Sequence, residues 1–362
     1  MRVALLVPTL VIGGVERVFA NLASGLYQEG VEVDLVVGRA GGDMERLLEK
    51  DIQIFDLQSD HMMRSVPGIA KYLRSRRPQA LIAGMTHCSA AAVVAHAIAR
   101  QKTKIIATEH NTMSQVVANA SGLKYRLMPL WSRLALNATD AIVAVSNGVA
   151  NDLSERTGIP RKKIKVIYNP VITDALHTAA SATVEHPWFQ PGEPPVILAV
   201  GRLDKQKDFP MLIRAFRLVR DSRRVRLMIL GEGPDRNRIE QAVQENQLTE
   251  DVSLPGFEQN PYRFMKRAAV FAFSSQWEGF GVALVEALAL GLPVVSTNCT
   301  YGPAEVLCNG KFGALVPVGD HEAMAKALLA SLDKPMQNNC FEHLRQFTVS
   351  SVASSYMSVI NN

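Results

Sequence analysis

The sequence is poor in cysteine and has no long apolar run. Its four cysteines, among 362 residues, show neither disulfide-like pairing nor the spacing of metal ligands, as is typical of proteins from a reducing cytosol. No stretch approaches the ~18 uninterrupted apolar residues that a membrane-spanning helix needs. The apolar N-terminal run Met1–Pro8 is too short for a signal peptide and lacks a cleavage site. We therefore expect an intracellular protein without a membrane-spanning segment.

Three motifs that bind phosphates or metals are also missing. The chain has no G-x-x-x-x-G-K-[ST] phosphate loop and no D-x-D pair of carboxylates. Gly13-Gly14 does not extend to G-x-G-x-x-G, and the second apolar run ends in Gly38-Arg39 without an acidic residue for ribose. These absences argue against P-loop enzymes and against nicotinamide-dependent dehydrogenases.

Positive charge is concentrated in the first half of the chain. The net charge is +5, and residues 1–175 hold 21 Lys and Arg against 15 Asp and Glu. Residues 176–362 hold 18 against 19, so their net charge is close to zero. A basic first half indicates an anionic partner. Nucleic acid, phosphorylated small molecules and anionic lipid surfaces all satisfy this condition.

Short apolar runs alternate with helix-length amphipathic segments along the chain. Runs such as Val3–Val7, Val31–Val37 and Ala80–Ala83 are nearly all apolar, as are strands of a parallel sheet covered on both faces. The same rhythm restarts at Pro195. This pattern predicts an α/β fold with two Rossmann-like domains.

Composition also predicts the boundaries of these domains. Residues 173–194 contain a run of small residues and three prolines, which is typical of a linker. We predict domains over residues 1–172 and 195–347, and a helix within 348–362 that packs back on the first domain. Ligands of open α/β sheets bind beyond the carboxyl ends of the strands. Two such domains are therefore expected to face each other across one interdomain cleft.

The first candidate site follows the first predicted strand. In Val11-Ile12-Gly13-Gly14-Val15-Glu16-Arg17 a helix begins, where free backbone amides attract anions and glycines admit a phosphate or a sugar. A plain strand-to-helix turn would use two glycines equally well. The pair Gly13-Gly14 alone does not separate these interpretations.

The second candidate site is the loop Gly201-Arg202-Leu203-Asp204-Lys205-Gln206-Lys207, directly after the predicted strand Val196–Val200. From such a loop, Arg202 and Lys207 can converge on a diphosphate. On charge alone, a solvated basic loop is the simpler interpretation.

The third candidate site lies in residues 275–287, where a strand leads through a glycine-rich turn into a helix that starts near Gly281. Free amides at that helix start can hold a phosphate or a sugar hydroxyl. Glu286 is the only charged residue from Val282 through Leu290, and so isolated a carboxylate needs a partner or a ligand. The alternative is that Glu278 only caps the helix and that Glu286 is solvated. The sequence favours a functional role.

Together, Glu278-x7-Glu286, the Gly-Phe-Gly turn and Gly201-Arg202-x4-Lys207 resemble the retaining glycosyltransferase family 4, which has the GT-B fold. The matches run in family order from Val3 to about Pro317. Each match is weak by itself, whereas the ordered set is specific. The further matches are Gly13-Gly14-x-Glu16, Val145-Ser146-x2-Val149, Val166-Ile167-x-Asn169-Pro170, Leu230-Gly231-Glu232-Gly233-Pro234, Leu254-Pro255-Gly256-Phe257 and Ala289-x-Gly291-x-Pro293-Val294-Val295.

The resemblance implies a role for each matching residue. Glu278 would bind hydroxyls of the donor sugar, Glu286 would bind the ribose, and backbone groups at Phe257 would receive the base. Arg202 and Lys207 would neutralise the diphosphate and so ease departure of the nucleotide. The implied donor-binding residues are Gly13, Gly14, Arg202, Lys207, Phe257, Glu278, Gly279, Phe280, Gly281, Val282 and Glu286.

His110 follows the fifth predicted strand, in Thr108-Glu109-His110-Asn111. Enzymes of the family often have a histidine here that contacts the transferred sugar, so the implied catalytic set is His110, Glu278, Arg202 and Lys207. A histidine after a strand is otherwise more often a structural hydrogen-bonding group. His87, at the end of the fourth predicted strand, is a weaker candidate of the same kind. Ser146 and Asn169 are interpreted as structural, at a helix start and in an interdomain turn respectively.

We expect neither a metal nor another cofactor. Without D-x-D, the charge of the donor diphosphate would fall to Arg202, Lys207 and helix-start amides. The chain offers no single convincing nucleophile for a covalent glycosyl intermediate. The resemblance implies retention of anomeric configuration by front-face attack, in which a donor phosphate oxygen takes the proton of the acceptor.

The resemblance also implies the substrates. It is closest to bacterial enzymes that act on polyprenyl-diphosphate-linked oligosaccharides and surface polysaccharides. We therefore expect a UDP-hexose or UDP-N-acetylhexosamine donor, with GDP as the second choice, a glycan or lipid-linked acceptor, and no nucleic acid.

Two basic stretches, Met62–Arg77 and Lys124–Leu134, mix cations with apolar and aromatic residues. Such mixtures suit the interface of an anionic bilayer, although ordinary amphipathic helices can have them too. We expect a cytoplasmic protein with peripheral contact at the inner face of the cytoplasmic membrane.

Two other functions are alternatives. A UDP-sugar 2-epimerase shares the two-domain architecture but is not expected to need both the Gly-Arg-x4-Lys and the Glu-x7-Glu sets. A non-catalytic sugar-nucleotide-binding subunit would have no need to keep the full cationic and acidic set.

Overall fold

The computed structural model of the chain describes residues 1–11, 13–42, 45, 48–119, 122–333 and 340–362, with the side chains of all of these except 123 and 124. Ile12 of the first candidate site and the side chain of Lys124 in the second basic stretch lie outside this description. The chain divides into two compact units, Met1–Val171 with Arg345–Asn362, and Ile172–Leu344. Within the described residues, no helix combines the length and apolarity needed to cross a membrane.

The first unit is built on a seven-stranded sheet. Its strands are β1 (Arg2–Thr9), β2 (Glu32–Arg39), β3 (Gln53–Asp56), β4 (Ala80–Gly84), β5 (Lys104–Glu109), β6 (Ala141–Ala144) and β7 (Ile164–Val166). They lie in the order β3-β2-β1-β4-β5-β6-β7, and neighbouring strands are parallel. The order reverses between β1 and β4, and ligands of such sheets bind at the carboxyl ends beside that switch point.

Helices cover this sheet, as the apolar strands require. Val3–Val7 of β1 are fully buried, so both faces of the strand are packed. The helices that follow these strands are α1 (Gly14–Gln28), α2 (Val66–Arg76), α3 (Thr86–Ala99), α4 (Met113–Ala118), α5 (Leu123–Arg126), α6 (Met128–Asn137) and α7 (Asn147–Thr157), with 3-10 turns at Met62–Ser65 and Arg161–Lys163. Ser146 caps α7, since its hydroxyl accepts a hydrogen bond from the Val149 amide at 3.0 Å.

The second unit repeats the plan with six parallel strands. They are β8 (Val196–Val200), β9 (Arg226–Leu230), β10 (Val252–Gly256), β11 (Val270–Phe273), β12 (Val294–Thr297) and β13 (Ala314–Val316). Their order is β10-β9-β8-β11-β12-β13, so the switch point lies between β8 and β11. The prediction of two Rossmann-like α/β domains is confirmed.

The helices of the second unit pack on a core of buried aliphatic and aromatic side chains, including Leu212 and Phe216 against the strands. They are α8 (Ala175–Ala180), α9 (Phe209–Ser222), α10 (Arg236–Glu245), α11 (Tyr262–Met265), α12 (Val282–Ala289), α13 (Pro303–Val306), α14 (His321–Asp333) and α15 (Phe341–Leu344). Short 3-10 turns occur at Pro187–Phe189 and Lys205–Lys207.

Residues 173–194, which the sequence presents as a linker, are grouped with the second unit. Their first part forms α8, which packs against α11. Asn260 Nδ2 donates to the Ala179 carbonyl at 2.8 Å, and Arg263 Nη1 donates to the Thr183 carbonyl at 3.1 Å. A composition rich in small residues and proline does not reveal these bonds, because their donors lie about 80 positions away.

The chain returns to the first unit at its C-terminal end. The Phe347 carbonyl, in a 3-10 turn at Arg345–Phe347, accepts a hydrogen bond from the Val171 amide at 2.9 Å. The last helix, α16 (Val349–Asn361), then packs against α1. The change of unit therefore occurs at residue 345, three residues before the predicted boundary.

Candidate functional site

The second unit holds a largely buried ion pair at its switch point. Lys207 follows β8, and Glu278 lies on the turn after β11. Lys207 Nζ is 2.5 Å from Glu278 Oε1. Ser275 Oγ donates to the same carboxylate oxygen at 2.7 Å. The two motifs are therefore brought together, with 9% of the Glu278 side chain and 19% of the Lys207 side chain exposed.

Hydrogen bonds between the loops hold this pair in place. Gln206 Nε2 donates to the Trp277 carbonyl at 2.8 Å, and the Gln276 amide donates to the Gln206 carbonyl at 2.8 Å. Gln276 Nε2 also donates to Asp208 Oδ2 at 2.9 Å. These positioning residues were not predicted from the sequence. Their only sequence signal is that they stand next to Lys207 and Glu278.

The turn before α12 can be made only with glycine. Gly281, the N-cap of α12, has φ of 96°, in the left-handed region that favours glycine. A Cβ on Gly302 would lie 2.4 Å from the Phe280 carbonyl oxygen. Gly281 has no side chain that could cap α12, and its carbonyl accepts a hydrogen bond from the Leu284 amide at 3.0 Å. This geometry suits the predicted contacts of residues 279–282 with a phosphate or a sugar.

Glu286, the lone carboxylate of α12, has a hydrogen-bond partner in the structure. Its carboxylate is buried within α12, and Tyr262 Oη donates to Glu286 Oε1 at 2.9 Å. Tyr262 begins α11, so the hydrogen bond joins α11 to α12. The isolation of Glu286 in the sequence predicts a partner or a ligand, but it does not identify Tyr262.

Arg202 and Phe257 lie at the surface of the second unit. The Arg202 side chain is 73% exposed, and its Nε is 3.9 Å from Asp204 Oδ2. It does not join the hydrogen bonds of the Lys207–Glu278 pair. Phe257 directly follows β10 and is 46% exposed, which leaves its ring accessible.

In the first unit, Gly13 and Gly14 begin α1. Gly13 is the extended N-cap residue, and a Cβ there would lie 2.1 Å from Glu16 Oε2. Gly14 has open space where a Cβ would stand. Burial raises the pKa of Glu16. The close approach of Glu16 explains why a glycine stands at position 13 even in a plain turn. The open space at Gly14, by contrast, leaves room for a ligand.

His110 is buried directly after β5 with a definite tautomer. Thr108 Oγ1 donates its one proton to the Ala83 carbonyl at 3.0 Å, so it accepts from His110 Nε2 at 3.2 Å. Burial lowers the pKa of His110 to about 4, with Asn169 acting in the opposite direction. Within the described residues, Nδ1 makes no hydrogen bond of normal geometry, and the polar group that acts on the ring is the side chain of Asn169. The ring is thus neutral at neutral pH, with an acceptor atom at Nδ1.

Glu109, beside His110, is a buried carboxyl that the sequence analysis did not single out. Thr86 Oγ1 donates to Glu109 Oε2 at 2.9 Å, while Oε1 has no hydrogen-bond partner in the described part of the chain. Burial raises the pKa of Glu109 to about 7. The signal in the sequence was an acid at the end of a strand whose central residues, Ile105–Ala107, are apolar. His87, nearby on α3, is exposed.

No group of three or more His, Cys, Asp or Glu side chains that could hold a metal ion occurs among the residues the structure describes. Lys207 and Arg202 are the two cations of the loop after β8 that the sequence motif singles out. Together with the start of α12, these are the groups that can face a phosphate.

Each half of the chain matches a model of a protein family. Residues 12–175 match the family described as Glycosyltransferase Family 4, and residues 183–347 match Glycosyl transferases group 1. A solved structure, that of Anabaena HepE in complex with UDP and glucose, has a TM-score of 0.82 with 19% identity and covers all of both chains. At this identity, the likeness shows the fold.

Two curated relatives are bacterial. The chain is 32% identical over 232 residues to N-acetylgalactosamine-N,N'-diacetylbacillosaminyl-diphospho-undecaprenol 4-alpha-N-acetylgalactosaminyltransferase of Campylobacter jejuni, matching 64% of this chain and 61% of that protein. It is 27% identical over 319 residues to the lipopolysaccharide core biosynthesis glycosyltransferase LpsE of Rhizobium meliloti, matching 87% and 84%. The chain thus spans less than two thirds of the Campylobacter enzyme. Its two parallel sheets and its likeness to HepE give this chain the GT-B fold, and its two halves match two models of glycosyltransferase families.

Proposed function

We propose that this protein is a retaining, metal-independent transferase that moves a hexose or an N-acetylhexosamine from a nucleotide sugar to a glycan. UDP is favoured over GDP as the nucleotide. The observation that carries the proposal is the Lys207–Glu278 pair beside the first amides of α12. A cation, a carboxylate and a helix N-terminus are the groups that a sugar joined to a diphosphate requires.

Lys207 and Arg202 stabilise the departing diphosphate. Negative charge grows on the leaving phosphate as its bond to the sugar breaks, and fixed donors stabilise that charge. Lys207 then shares its ammonium between the phosphate and Glu278. The Glu278 carboxylate accepts hydrogen bonds from hydroxyls of the sugar through its remaining lone pairs. Arg202, which is exposed, moves onto the diphosphate without losing a buried partner.

Glu286 and Phe257 bind the nucleoside end of the donor. A carboxylate has about four lone-pair positions, so Glu286 can accept from Tyr262 and from ribose hydroxyls together. The exposed backbone and ring at Phe257 receive the base. Both features belong to the same unit as the Lys207–Glu278 pair.

Retention follows from attack on the face that the diphosphate leaves. The acceptor oxygen bonds to the anomeric carbon, the bond to the diphosphate breaks, and a phosphate oxygen takes the acceptor proton. This route needs no protein nucleophile and no metal ion. His110 accepts a hydrogen bond from a substrate hydroxyl through Nδ1. Its ring is neutral, and its Nε2–H already donates to Thr108 Oγ1.

The acceptor in this proposal is a glycan or a polyprenyl-diphosphate-linked oligosaccharide at the inner face of the cytoplasmic membrane. The names of the two curated relatives support it, since one acts on a diphospho-undecaprenol-linked sugar and the other in lipopolysaccharide core biosynthesis. The protein would then contact the membrane peripherally.

A donor screen without acceptor tests the proposal. Purified protein is incubated with UDP- and GDP-linked hexoses and N-acetylhexosamines, and nucleotide release and the anomer of the first sugar product are followed. We expect slow hydrolysis of one donor, with retained configuration and no loss in EDTA. A C2-epimerised product would favour an epimerase, and a strict Mg²⁺ requirement would contradict the metal-free route. Failure of calorimetry to detect binding of any nucleotide sugar would overturn the whole proposal.

A further inference from the structure

One long segment of the first unit is almost free of acidic residues. Residues 61–139 contain eleven Lys and Arg and a single acid, Glu109, which is only 5% exposed. The segment includes α2, α3 and α6, and α3 packs against both of the others. We call these three helices the basic layer. No exposed carboxylate of the layer itself offsets its positive charge.

Part of this charge faces solvent. Arg76 is used within the fold, since its Nε and Nη2 donate to buried Asp34 at 3.2 and 3.3 Å. Arg126, the last residue of α5 and close before α6, and Arg133, in the middle of α6, are exposed. Their charges are therefore available to an external anion.

The same part of the layer carries exposed apolar side chains. Leu127, Leu130, Trp131 and Leu134 are 39%, 55%, 62% and 57% exposed. Their spacing of three, four and seven positions puts them on one side of the helix, and we call them the α6 stripe. Ser132 and Leu136 are buried, so the opposite side of α6 is the one that packs on the unit.

Helix α3 also has exposed apolar side chains. Its residues Val94 and Ile98 are 41% and 47% exposed, and α3 is the helix on which α6 packs. A tryptophan and leucines flanked by arginines are the composition of an interfacial membrane helix. Solvent exposure of such a stripe needs a reason, because isolated apolar residues are common on surfaces but a contiguous row is not.

We propose that the basic layer docks on an anionic phospholipid bilayer, with the α6 stripe inserted between headgroups. Charge complementarity selects this occupant, since the layer presents cations without exposed acids and an anionic leaflet presents the opposite. A nucleic acid would use the arginines but leave the leucines in water. The inference rests on the proposed membrane location and adds to it the exposed side chains that make the contact.

Vesicle flotation of the full chain tests the docking surface. The lipids are phosphatidylcholine alone, and phosphatidylcholine in which about one lipid in three is the anionic phosphatidylglycerol. We expect binding to the anionic vesicles that falls at least about tenfold in high salt, and little binding to the neutral ones. The triple variant Leu130→Ser, Trp131→Ser, Leu134→Ser should also lose about tenfold or more of the binding.

Two further variants make the result specific. Arg126→Glu with Arg133→Glu should weaken binding to anionic vesicles only. Leu218→Ser with Val318→Ser removes apolar residues of 39% and 43% exposure from the second unit and should change nothing. Equal binding by the stripe variant and the parent would overturn the proposal. So would a concentration-dependent dimer that the stripe variant abolishes, since the stripe would then be a self-association surface.

Donor hydrolysis, measured without vesicles, separates this inference from the proposed function. All variants should hydrolyse the donor like the parent, which also shows that they are folded. Vesicle binding without hydrolysis of any donor would leave the docking surface standing and remove the proposed function. Donor hydrolysis without vesicle binding would leave the proposed transfer reaction standing and overturn the docking surface.

Discussion

At the residue scale, the charge of Lys207 is balanced by Glu278 in a largely buried setting. Lys207→Ala leaves developing phosphate charge without its fixed donor, and we expect kcat/KM to fall by about 10²–10³. Steady-state kinetics on the donor found by the hydrolysis screen measures this. Lys205→Ala is the matched control, because it removes an exposed cation from the same 3-10 turn. Near-normal turnover of the Lys207 variant would exclude the side chain from the site.

Glu278 and Glu286 are expected to sense different parts of the donor. Glu286→Gln should weaken UDP itself by roughly 1–3 kcal/mol, the range for losing a hydrogen bond to a charged group. Glu278→Gln should leave UDP affinity almost unchanged and reduce turnover strongly. Calorimetric titration with UDP alone separates the two variants. If both bind UDP like the parent, Glu286 does not contact the ribose.

Glu109 and His110 make opposing contributions to the dependence of stability on pH. The pKa of Glu109 rises from 4.5 to about 7 on folding, so this carboxyl costs stability as pH increases from 4.5 to 7. The pKa of His110 falls from 6.5 to about 4, so stability is lost as pH decreases from 6.5 to 4. In the shared window the two effects largely cancel.

Single variants should reveal each effect. Glu109→Gln should make stability rise with pH between 4 and 6.5, whereas His110→Gln should make it fall between 4.5 and 7, each by about 1–3 kcal/mol. Urea unfolding at several pH values measures both slopes. Parallel pH profiles for the parent and both variants would contradict the buried titration.

At the element scale, the start of α12 depends on two glycine turns. Gly302 has a φ of 88°, and a Cβ at this position would lie 2.4 Å from the Phe280 carbonyl oxygen. The turn before α12 must therefore shift in the Gly302→Ala variant. We expect a loss of stability beyond the ~1–2 kcal/mol of the left-handed conformation alone, together with a loss of turnover. Gly319→Ala is the control, since its φ is 79° and its Cβ meets nothing within 4 Å. Thermal unfolding compares them, and equal losses would mean that the clash is relieved without cost.

Strands were easier to predict than loops in this chain. The run Val3–Val7 lies inside β1, and Val196–Val200 coincides with β8, because a strand buried on both faces must be apolar throughout. Helix α8 was predicted as linker, since its small residues carry no strong period and its stability comes from packing against α11. Local pattern predicts an element only when burial imposes the pattern.

At the scale of the whole molecule, α16 closes the first unit from the far end of the chain. A Cβ on Gly25 of α1 would lie 2.6 Å from Val349 Cγ1 and 3.1 Å from Ala353 Cβ of α16. Gly25→Ala should therefore destabilise the first unit by about 1–3 kcal/mol through overpacking. Val349→Ala in the same chain should restore part of the loss, because it removes the methyl group that the new Cβ meets.

Hydrogen exchange resolves where that loss falls. Protection should decrease at the amides of β1, β2 and β4 and stay unchanged at those of β8, β9 and β11, because α16 belongs to the first unit. An equal decrease in both units would show that α16 does not stabilise the first unit selectively.

The sequence by itself determined the two parallel sheets, the order of the motifs and the need of Glu286 for a partner. Each of these follows from local physics, since apolar runs must be buried and a lone carboxylate must be satisfied. Only the tertiary structure decided that Tyr262 is that partner, that Lys207 meets Glu278 from 71 positions away, and that residues 173–194 join the second unit. Such contacts join residues far apart in the chain, and no local pattern of residues specifies which of them will meet.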